Sequence, residues 1–238
     1  MLKTVGPIAG KVALALAALF AVMVGLGLLL TEVLKNDWPV TAEDDVSRSL
    51  EQGRTDTMDD ATHILGEMGN TFTIIGLMVV VALLLRWWLG RWRESLFVVL
   101  AVSAQAFIFM LTQLMVERQR PEVFRLDASP PTSSFPSGHT GAAIALYIST
   151  ALVVLWHVRK PLLRVLLAAL LIAIPFLVAY SRLYRGMHHP TDLVGSLVNG
   201  LSSILISAKA TGQPQRTERR GRPTTTAGEM RDRLRAGR

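Results

Sequence analysis

The stretch VALALAALFAVMVGLGLLL, residues 12–30, runs for 19 residues without a charged side chain. About 20 apolar residues are enough for an α-helix to cross the hydrocarbon core of a bilayer. The rest of the chain is similarly apolar, because 50% of its 238 residues are hydrophobic and only 18% are charged. This composition excludes an ordinary soluble domain and predicts a membrane protein.

Applied along the whole chain, the same criterion predicts an all-α fold, a six-transmembrane-helix bundle forming one membrane domain over residues 1–208. The predicted spans lie near residues 12–30, 71–88, 95–116, 140–156, 163–180 and 190–208. A signal peptide is the alternative for the first span, since Lys3 and Lys11 precede it. Its apolar run is longer than usual for a signal peptide, and no small-residue cleavage site follows, so an anchor is favoured.

Two segments fall outside these spans. Residues 31–70 carry ten acidic and three basic residues and are predicted to form an outer loop with a short surface helix. Residues 209–238 are predicted to be a basic, disordered cytoplasmic tail. This tail holds nine of the 25 Lys and Arg residues, so most of the net charge of +7 lies outside the membrane domain. The charge therefore does not indicate a nucleic-acid partner.

The positions of the basic residues also predict an orientation. The N-terminal stretch, the second-to-third and fourth-to-fifth connections and the tail together hold 17 of the 25, although without the tail the two sides are equal at 8 each. The positive-inside rule places both termini in the cytoplasm. The excess of Arg (20) over Lys (5) is typical of a high-GC bacterium, and we expect a bacterial plasma (inner) membrane.

Chemically useful residues cluster in two connections that share one face of the membrane, because the loops after spans three and five emerge on the same side. The first holds Arg120-Pro121 and Pro136-Ser137-Gly138-His139, and the second runs from Ser181-Arg182 through His188 to Asp192. The chain has no Cys, which excludes disulfides, zinc ribbons, iron–sulfur clusters and thiol nucleophiles.

Four of these residues would suit a phosphate group. The guanidinium groups of Arg120 and Arg182 can donate paired hydrogen bonds to phosphate oxygens. Ser137 and Gly138 precede a predicted helix, whose free N-terminal amides bind anions. Taken singly, an arginine near a membrane is more often a lipid-headgroup partner, and a Ser-Gly pair is more often a helix cap. Their conjunction on one face favours a phosphate site.

Two histidines and one aspartate would supply the reactive groups. Pro190 suits the first turn of the sixth span, which puts Asp192 within reach of one ring nitrogen of His188. The other nitrogen would then be free to act as a nucleophile. His139 could protonate a leaving oxygen. A metal site built from His188, His189 and Asp192 is the alternative.

Together these motifs resemble those of the type 2 phosphatidic acid phosphatase (PAP2) superfamily, which shares its active site with vanadium haloperoxidases. The family pattern is Lys-x6-Arg-Pro, then Pro-Ser-Gly-His, then Ser-Arg-x5-His-x3-Asp. Its second and third parts match completely at residues 136–139 and 181–192. The first part ends in Arg120-Pro121, but Gln113 stands where the family usually has Lys.

The resemblance implies a membrane phosphatase with its site at the extracytoplasmic end and with no metal or other cofactor. His188 would form a phosphohistidine, Asp192 would orient it, and His139 would protonate the leaving group. The substrate-binding residues would be Arg120, Ser137, Gly138 and Arg182, with Gln113 at the usual Lys position. Gln113 can donate only a neutral hydrogen bond, so Arg118 or Arg185 could compensate, or phosphate could bind more weakly; activity is expected to survive.

The expected substrate is a lipid phosphate or pyrophosphate of the polyprenyl pyrophosphate, phosphatidic acid or phosphatidylglycerophosphate class. Membrane lipids are the other expected partners, and no residue pattern indicates an oligomeric state. Two alternatives stay open. A lipid phosphotransferase would use the same phosphohistidine with a hydroxyl acceptor, and a non-catalytic membrane protein would use the same arginines and histidines only to bind an anion or a lipid.

Overall fold

The computed structural model describes residues 2–129 and 131–212, and most of the predicted tail, residues 213–238, lies outside the described residues. In chain order the helices are α1 (Leu2–Leu28), α2 (Val40–Gln52), α3 (Asp56–Glu67), α4 (Thr71–Leu89), α5 (Arg93–Met115), α6 (Gly138–Ala143), α7 (Ser149–His157), α8 (Pro161–Tyr184) and α9 (Pro190–Ala210). The π-helical turns Leu29–Val33 and Ile144–Ile148 extend α1 and join α6 to α7. No strand occurs among the described residues, which confirms the all-α class.

Six helices in the described part of the chain are long and apolar enough to cross a membrane, when α6 and α7 are counted as one. They are α1, α4, α5, α6–α7, α8 and α9, and each overlaps one of the six predicted spans. Large apolar side chains such as Leu14, Leu84 and Phe176 are exposed on their outer faces. Apolar outer faces on regular helices suit a lipid environment, because a helix satisfies its backbone hydrogen bonds internally.

The fifth span continues further than the sequence predicted. It was expected to end near residue 180, but α8 runs to Tyr184, so Ser181 and Arg182 lie in the last turn of a helix and not in a loop. The chain turns at Gly186, whose φ of +69° lies in the left-handed region that favours glycine. The Arg182 side chain is therefore carried by a rigid backbone next to the turn that holds His188.

The sequence of residues 31–70 allowed a short helix in this connection, and the structure has helix there in two segments. This connection forms two helices, α2 and α3, and both pack against α8. The Arg54 guanidinium between them donates to the carbonyl oxygens of Tyr184 and Phe124, and the Tyr184 hydroxyl lies 2.9 Å from the Asp59 carboxylate. These long-range contacts cannot be read from the local pattern of polar and apolar residues.

Two apolar clusters hold the bundle together. The larger cluster joins α4, α5, α6–α7, α8 and α9 around side chains such as Val98, Leu146 and Val178. The smaller one packs α1 against α5, α9 and the loop before α6, and it includes Met23 and Phe135. Both ends of the loop between α5 and α6 are thereby fixed to the membrane helices.

Phe135 fixes the loop before α6 against α9. Its ring is fully buried, and a Cβ atom built on Gly195 of α9 would lie only 2.7 Å from Phe135 Cζ. The absence of a side chain at Gly195 thus lets α9 approach the ring closely. This contact sets where Gly138 and His139 begin α6.

The Gly195→Ala variant should be destabilised, because the added methyl group must displace a buried ring or a helix. Overpacking of this kind costs about 1–3 kcal/mol. The melting temperature of the purified protein in detergent measures the effect. Gly76→Ala in α4 is the matched control, since its added Cβ would meet no atom within 4 Å apart from the nearby backbone of its own helix. Equal melting temperatures for the two variants would contradict the role given to the Phe135 contact.

Candidate active site

A cavity of about 620 Å³ opens where α6 begins and α8 ends. Its polar lining includes Gln113, Arg120, Asp127, Gly138, His139, Arg182 and His188. Its apolar lining comes mainly from α4 and α5 and includes Ile74, Ile75, Phe109 and Met110. The three sequence motifs, which are separated by up to 79 positions, therefore converge on one space.

His188 lies in the turn between α8 and α9 and is almost completely buried. Its Nδ1 is 2.9 Å from the carbonyl oxygen of Ser134. Because a carbonyl oxygen can only accept, Nδ1 carries the proton and Nε2 keeps its lone pair. Burial lowers the pKa of His188 below its usual value, and the opposing effect of Asp192 does not cancel this. The ring is thus a neutral imidazole with one nitrogen available as a nucleophile.

Asp192 lies in the first turn of α9, as predicted, and has no exposed surface. One oxygen, Oδ1, accepts a hydrogen bond from Arg118 Nη1 at 2.5 Å. The other, Oδ2, accepts from the His189 backbone amide at 2.8 Å and from the Ser134 hydroxyl. Oδ2 is 3.5 Å from His188 Nδ1, farther than the Ser134 carbonyl oxygen. The hydrogen bond expected between Asp192 and His188 is therefore made by the Ser134 carbonyl group, and Asp192 contributes its charge at close range.

Arg120 and Arg182 approach the cavity from different elements. Arg120 Nη1 donates to the Met187 carbonyl oxygen at 2.7 Å, and Arg182 Nη2 donates to the Asp127 carboxylate. The Nε atoms of both arginines are buried and have no hydrogen-bond partner among the described residues. Burial also lowers the pKa of Arg120. A bound anion would give these two Nε–H groups the acceptors that they lack.

Asp127 is a site residue that sequence reasoning missed. Besides Arg182 it accepts from Arg185, whose Nη2 is 2.6 Å from Asp127 Oδ1. Burial alone would raise the pKa of Asp127, but the hydrogen bonds and charges of Arg185 and Arg182 outweigh it and lower the pKa overall. An ionised Asp127 holds Arg182 beside the cavity. A single aspartate in an irregular loop gives no sequence signal for this role.

Ser137 and Gly138 differ in their relation to the cavity. Ser137 is fully buried and caps α6: its Oγ accepts from the Thr140 amide at 3.4 Å and donates to Thr140 Oγ1 at 3.1 Å. Gly138 contributes to the cavity lining, whereas Ser137 does not. The structure thus places Ser137 in the capping role that was the alternative for it, and its contact with phosphate stays a prediction.

Gln113, at the usual lysine position, lies on the cavity wall. Its Nε2 is 3.3 Å from the carbonyl oxygens of both Phe135 and Pro136. Its Oε1 is buried without a partner among the residues described. The amide group therefore supports the loop that precedes α6 and adds no charge to the cavity.

Arg118 and Arg185, which were one of two alternatives for the missing lysine, are engaged elsewhere. Arg118 pairs with Glu43 and Asp192, at 2.5 Å in each case. Arg185 pairs with Asp127 and also donates to the Asp59 carbonyl oxygen at 2.9 Å. Neither arginine contributes to the cavity lining. The charge of the missing ammonium group is thus not replaced by Arg118 or Arg185.

The alternative of a metal site lacks a suitable geometry. His189 is the N-cap residue of α9, and its Nδ1 is 3.9 Å from Glu43 Oε2. Within residues 2–129 and 131–212, no group of three or more His, Asp or Glu side chains is arranged to hold a metal ion. His188, His189 and Asp192 are instead arranged around the start of α9.

Residues 94–216, just over half of the chain, match the sequence model of the PAP2 superfamily. The chain belongs to the PAP2 superfamily. All three motifs lie within the matched residues, so the resemblance stated from the motifs is confirmed. With its six apolar helices, this member of the superfamily is a multi-pass membrane protein and a phosphatase, a hydrolase that releases phosphate.

Known proteins are similar over most of the chain. Phosphatidylglycerophosphatase B from Bacillus subtilis (strain 168) is 24% identical over 177 residues, which cover 73% of this chain and 85% of that protein. The crystal structure of a transmembrane PAP2-type phosphatidylglycerolphosphate phosphatase from Bacillus subtilis has a TM-score of 0.71 at 21% identity, covering 85% of this chain and 98% of that one. LpxE from Aquifex aeolicus has a TM-score of 0.55 at 23% identity, covering 69% and 93%. These two structures show that the fold is shared.

Replacing Gln113 with Lys should strengthen phosphate binding, because an ammonium group would join Arg120 and Arg182 at the cavity. We expect the inhibition constant of inorganic phosphate to fall roughly fivefold, the effect of an ion pair worth about 1 kcal/mol. Gln113→Met is the matched control, since it has a similar size but cannot donate a hydrogen bond. If the Lys variant binds phosphate no more tightly than the wild-type protein, this position does not face the phosphate.

Proposed function

We propose that this chain hydrolyses a lipid phosphate or pyrophosphate through a phosphohistidine intermediate. The observation that carries the proposal is the divided lining of the cavity. One part is formed mainly by apolar side chains of α4 and α5, and the other is polar and includes two arginines and two histidines. A phosphorylated lipid has the same division, with an apolar tail next to an anionic head.

His188 is the proposed nucleophile. Its Nε2 lone pair attacks phosphorus and forms a P–N bond while the P–O bond to the lipid breaks. The departing oxygen takes a proton from His139, which lines the same cavity. Arg120, Arg182 and the backbone of Gly138 bind the phosphoryl oxygens, whose charge develops in the transition state.

The second step releases phosphate. A water molecule attacks phosphorus, its proton passes to His139, and the P–N bond breaks so that the electron pair returns to His188 Nε2. Asp192 stabilises the positive charge that the imidazole ring carries in the intermediate. None of these steps requires a metal ion, so we expect full activity in the presence of a chelator.

The relatives suggest which substrates to test first. The similar proteins from Bacillus subtilis are named for phosphatidylglycerophosphate, which makes this lipid the first candidate. Phosphatidic acid and polyprenyl pyrophosphate are the other two classes that the motifs and the cavity suit. We further propose that the chain lies in a bacterial inner membrane with both termini in the cytoplasm and the cavity on the extracytoplasmic side.

The His188→Ala variant should lose phosphatase activity by about a thousandfold or more, because the attacking atom is removed. Phosphate release is measured in detergent against phosphatidylglycerophosphate, phosphatidic acid and a polyprenyl pyrophosphate. Product analysis with and without a hydroxyl acceptor distinguishes hydrolysis from phosphotransfer.

The matched control for this experiment is His63→Ala, which removes an exposed imidazole from α3. It should hydrolyse the preferred lipid at the wild-type rate. Normal turnover by His188→Ala would disprove the covalent mechanism, and no turnover of any lipid by the wild-type protein would disprove the proposed function.

The pH dependence of the reaction should reflect the burial of His188. Because burial lowers the pKa of this imidazole below its usual 6.5, the neutral nucleophile persists into mildly acidic solution and is lost only at lower pH. The acid limb of kcat/KM, which reports the free enzyme, should therefore have its midpoint below pH 6.5 after correction for substrate ionisation. A midpoint above pH 6.5 would show that the charge of Asp192, not burial, controls the ring.

A further inference from the structure

Glu43 is a buried acid that belongs to none of the three motifs and lies outside the residues matched by the superfamily. It sits in α2 and is only 3% exposed. Its Oε1 accepts from the Thr191 amide at 2.7 Å, and its Oε2 accepts from Arg118 Nη2 at 2.5 Å. Thr191 directly precedes Asp192, so these contacts hold α2 against the first turn of α9.

Arg118 connects Glu43 to the catalytic end of the bundle. Its Nη1 donates to Asp192 Oδ1 at 2.5 Å and to Thr191 Oγ1 at 2.7 Å. The side chains of Arg118 and Asp192 are 6% and 0% exposed. A continuous chain of buried charges therefore runs from Glu43 through Arg118 to Asp192, whose Oδ2 is 3.5 Å from His188 Nδ1.

The charges of Glu43, Arg118 and Asp192 contribute to the electrostatic potential at the His188 ring. Arg118 and Asp192 alone would form a neutral pair, in which the positive charge of Arg118 offsets part of the effect of the Asp192 carboxylate on a positively charged ring. Glu43 adds a second carboxylate and gives the three groups a net charge of −1. Buried charges are screened much less than exposed ones, so we expect this excess negative charge to extend to the His188 ring.

We propose that Glu43 is a positioning residue for His188: acting through Arg118, it fixes the Asp192 carboxylate and leaves a net negative charge beside the ring. This inference rests on the proposed phosphohistidine mechanism. It gives the acidic connection between α1 and α4 a role in catalysis. Without Glu43, the neutral imidazole is a weaker nucleophile and its cationic product is less stable.

Other titratable and charged groups also face His188, and the substitution of Glu43 described below leaves them unchanged. Asp192 comes from α9, Arg182 from α8 and Arg120 from the loop before α6, while His139 lies at the start of α6. Both arginines oppose a positive charge on the ring. Glu43 itself is faced by Arg118 and His189.

The test is the pH profile of kcat/KM for the lipid that the wild-type protein hydrolyses. Glu43→Gln keeps the size of the side chain and an acceptor for the Thr191 amide but removes the charge. We expect kcat/KM on the plateau to fall about tenfold, a typical loss when a group that orients a reacting residue is removed. KM should change little, because Glu43 does not line the cavity. The acid limb should move to lower pH by about half a unit or more, since the ring loses a nearby negative charge.

Two further variants separate charge from folding. Glu43→Asp keeps the charge and should keep the acid limb where it is. Arg118→Gln removes the positive charge and should move the limb to higher pH, the opposite direction. Asp45→Asn is the matched control on α2, because this carboxylate is 79% exposed and should affect neither parameter. If Glu43→Gln does not fold, as judged by gel filtration in detergent, the Arg118→Gln profile decides.

Glu43→Gln and Arg118→Gln could both lower the plateau of kcat/KM without moving the midpoint of its acid limb. This outcome would show that Glu43 only holds α2 in place, and it would overturn the inference. An unchanged profile in both would overturn it as well. These outcomes require an active wild-type protein and an inactive His188→Ala variant, so they leave the proposed function intact. An inactive wild-type protein would instead overturn both proposals.

Discussion

The burial of Asp192 is the constraint on which the catalytic end of this structure depends. A carboxylate removed from water is strongly destabilising unless cations and hydrogen-bond donors surround it. Its donors come from three separate parts of the chain: Arg118 after α5, Ser134 before α6 and the His189 amide at the start of α9. Satisfying this one carboxylate brings the ends of three membrane helices together, and the same turn holds His188 on the cavity.

The parts of this arrangement that depend on local sequence could be predicted. An apolar run long enough to cross a bilayer is visible in the sequence, and so is the spacing that puts Asp192 in the first turn of α9 behind Pro190. The roles of Glu43 and Asp127 could not be predicted, because each is decided by a partner distant in sequence: Arg118 for Glu43, and Arg182 for Asp127. Glu43 is one of ten acidic residues in the connection between α1 and α4, and nothing in its neighbours distinguishes it from the exposed ones.

The cavity carries less excess positive charge than the motifs alone suggest. With Gln113 in place of the usual lysine, Arg120 and Arg182 are the arginines on the cavity lining, and Asp127 already accepts from Arg182. A phosphate group must therefore share Arg182 with a carboxylate that Arg185 holds in place from the other side. In the proposed complex, the free Nε donors of both arginines and the backbone at Gly138 would supply hydrogen bonds to phosphate, and such bonds depend on geometry more than on net charge.

The positions of these donors also depend on the connection between α1 and α4, which packs against the end of α8 and the start of α9. The Arg54 contacts to Tyr184 and Phe124 tie α2 and α3 to the end of α8, and Ser181 Oγ donates to the Thr62 carbonyl oxygen at 2.6 Å in the same region. These contacts fix the last turn of α8, from which Arg182 extends. The connection between α1 and α4 thus contacts both halves of the proposed site, through Glu43 on the side of His188 and through α3 on the side of Arg182. Since the family motifs lie wholly outside this connection, two chains with identical motifs can differ in how firmly these groups are held.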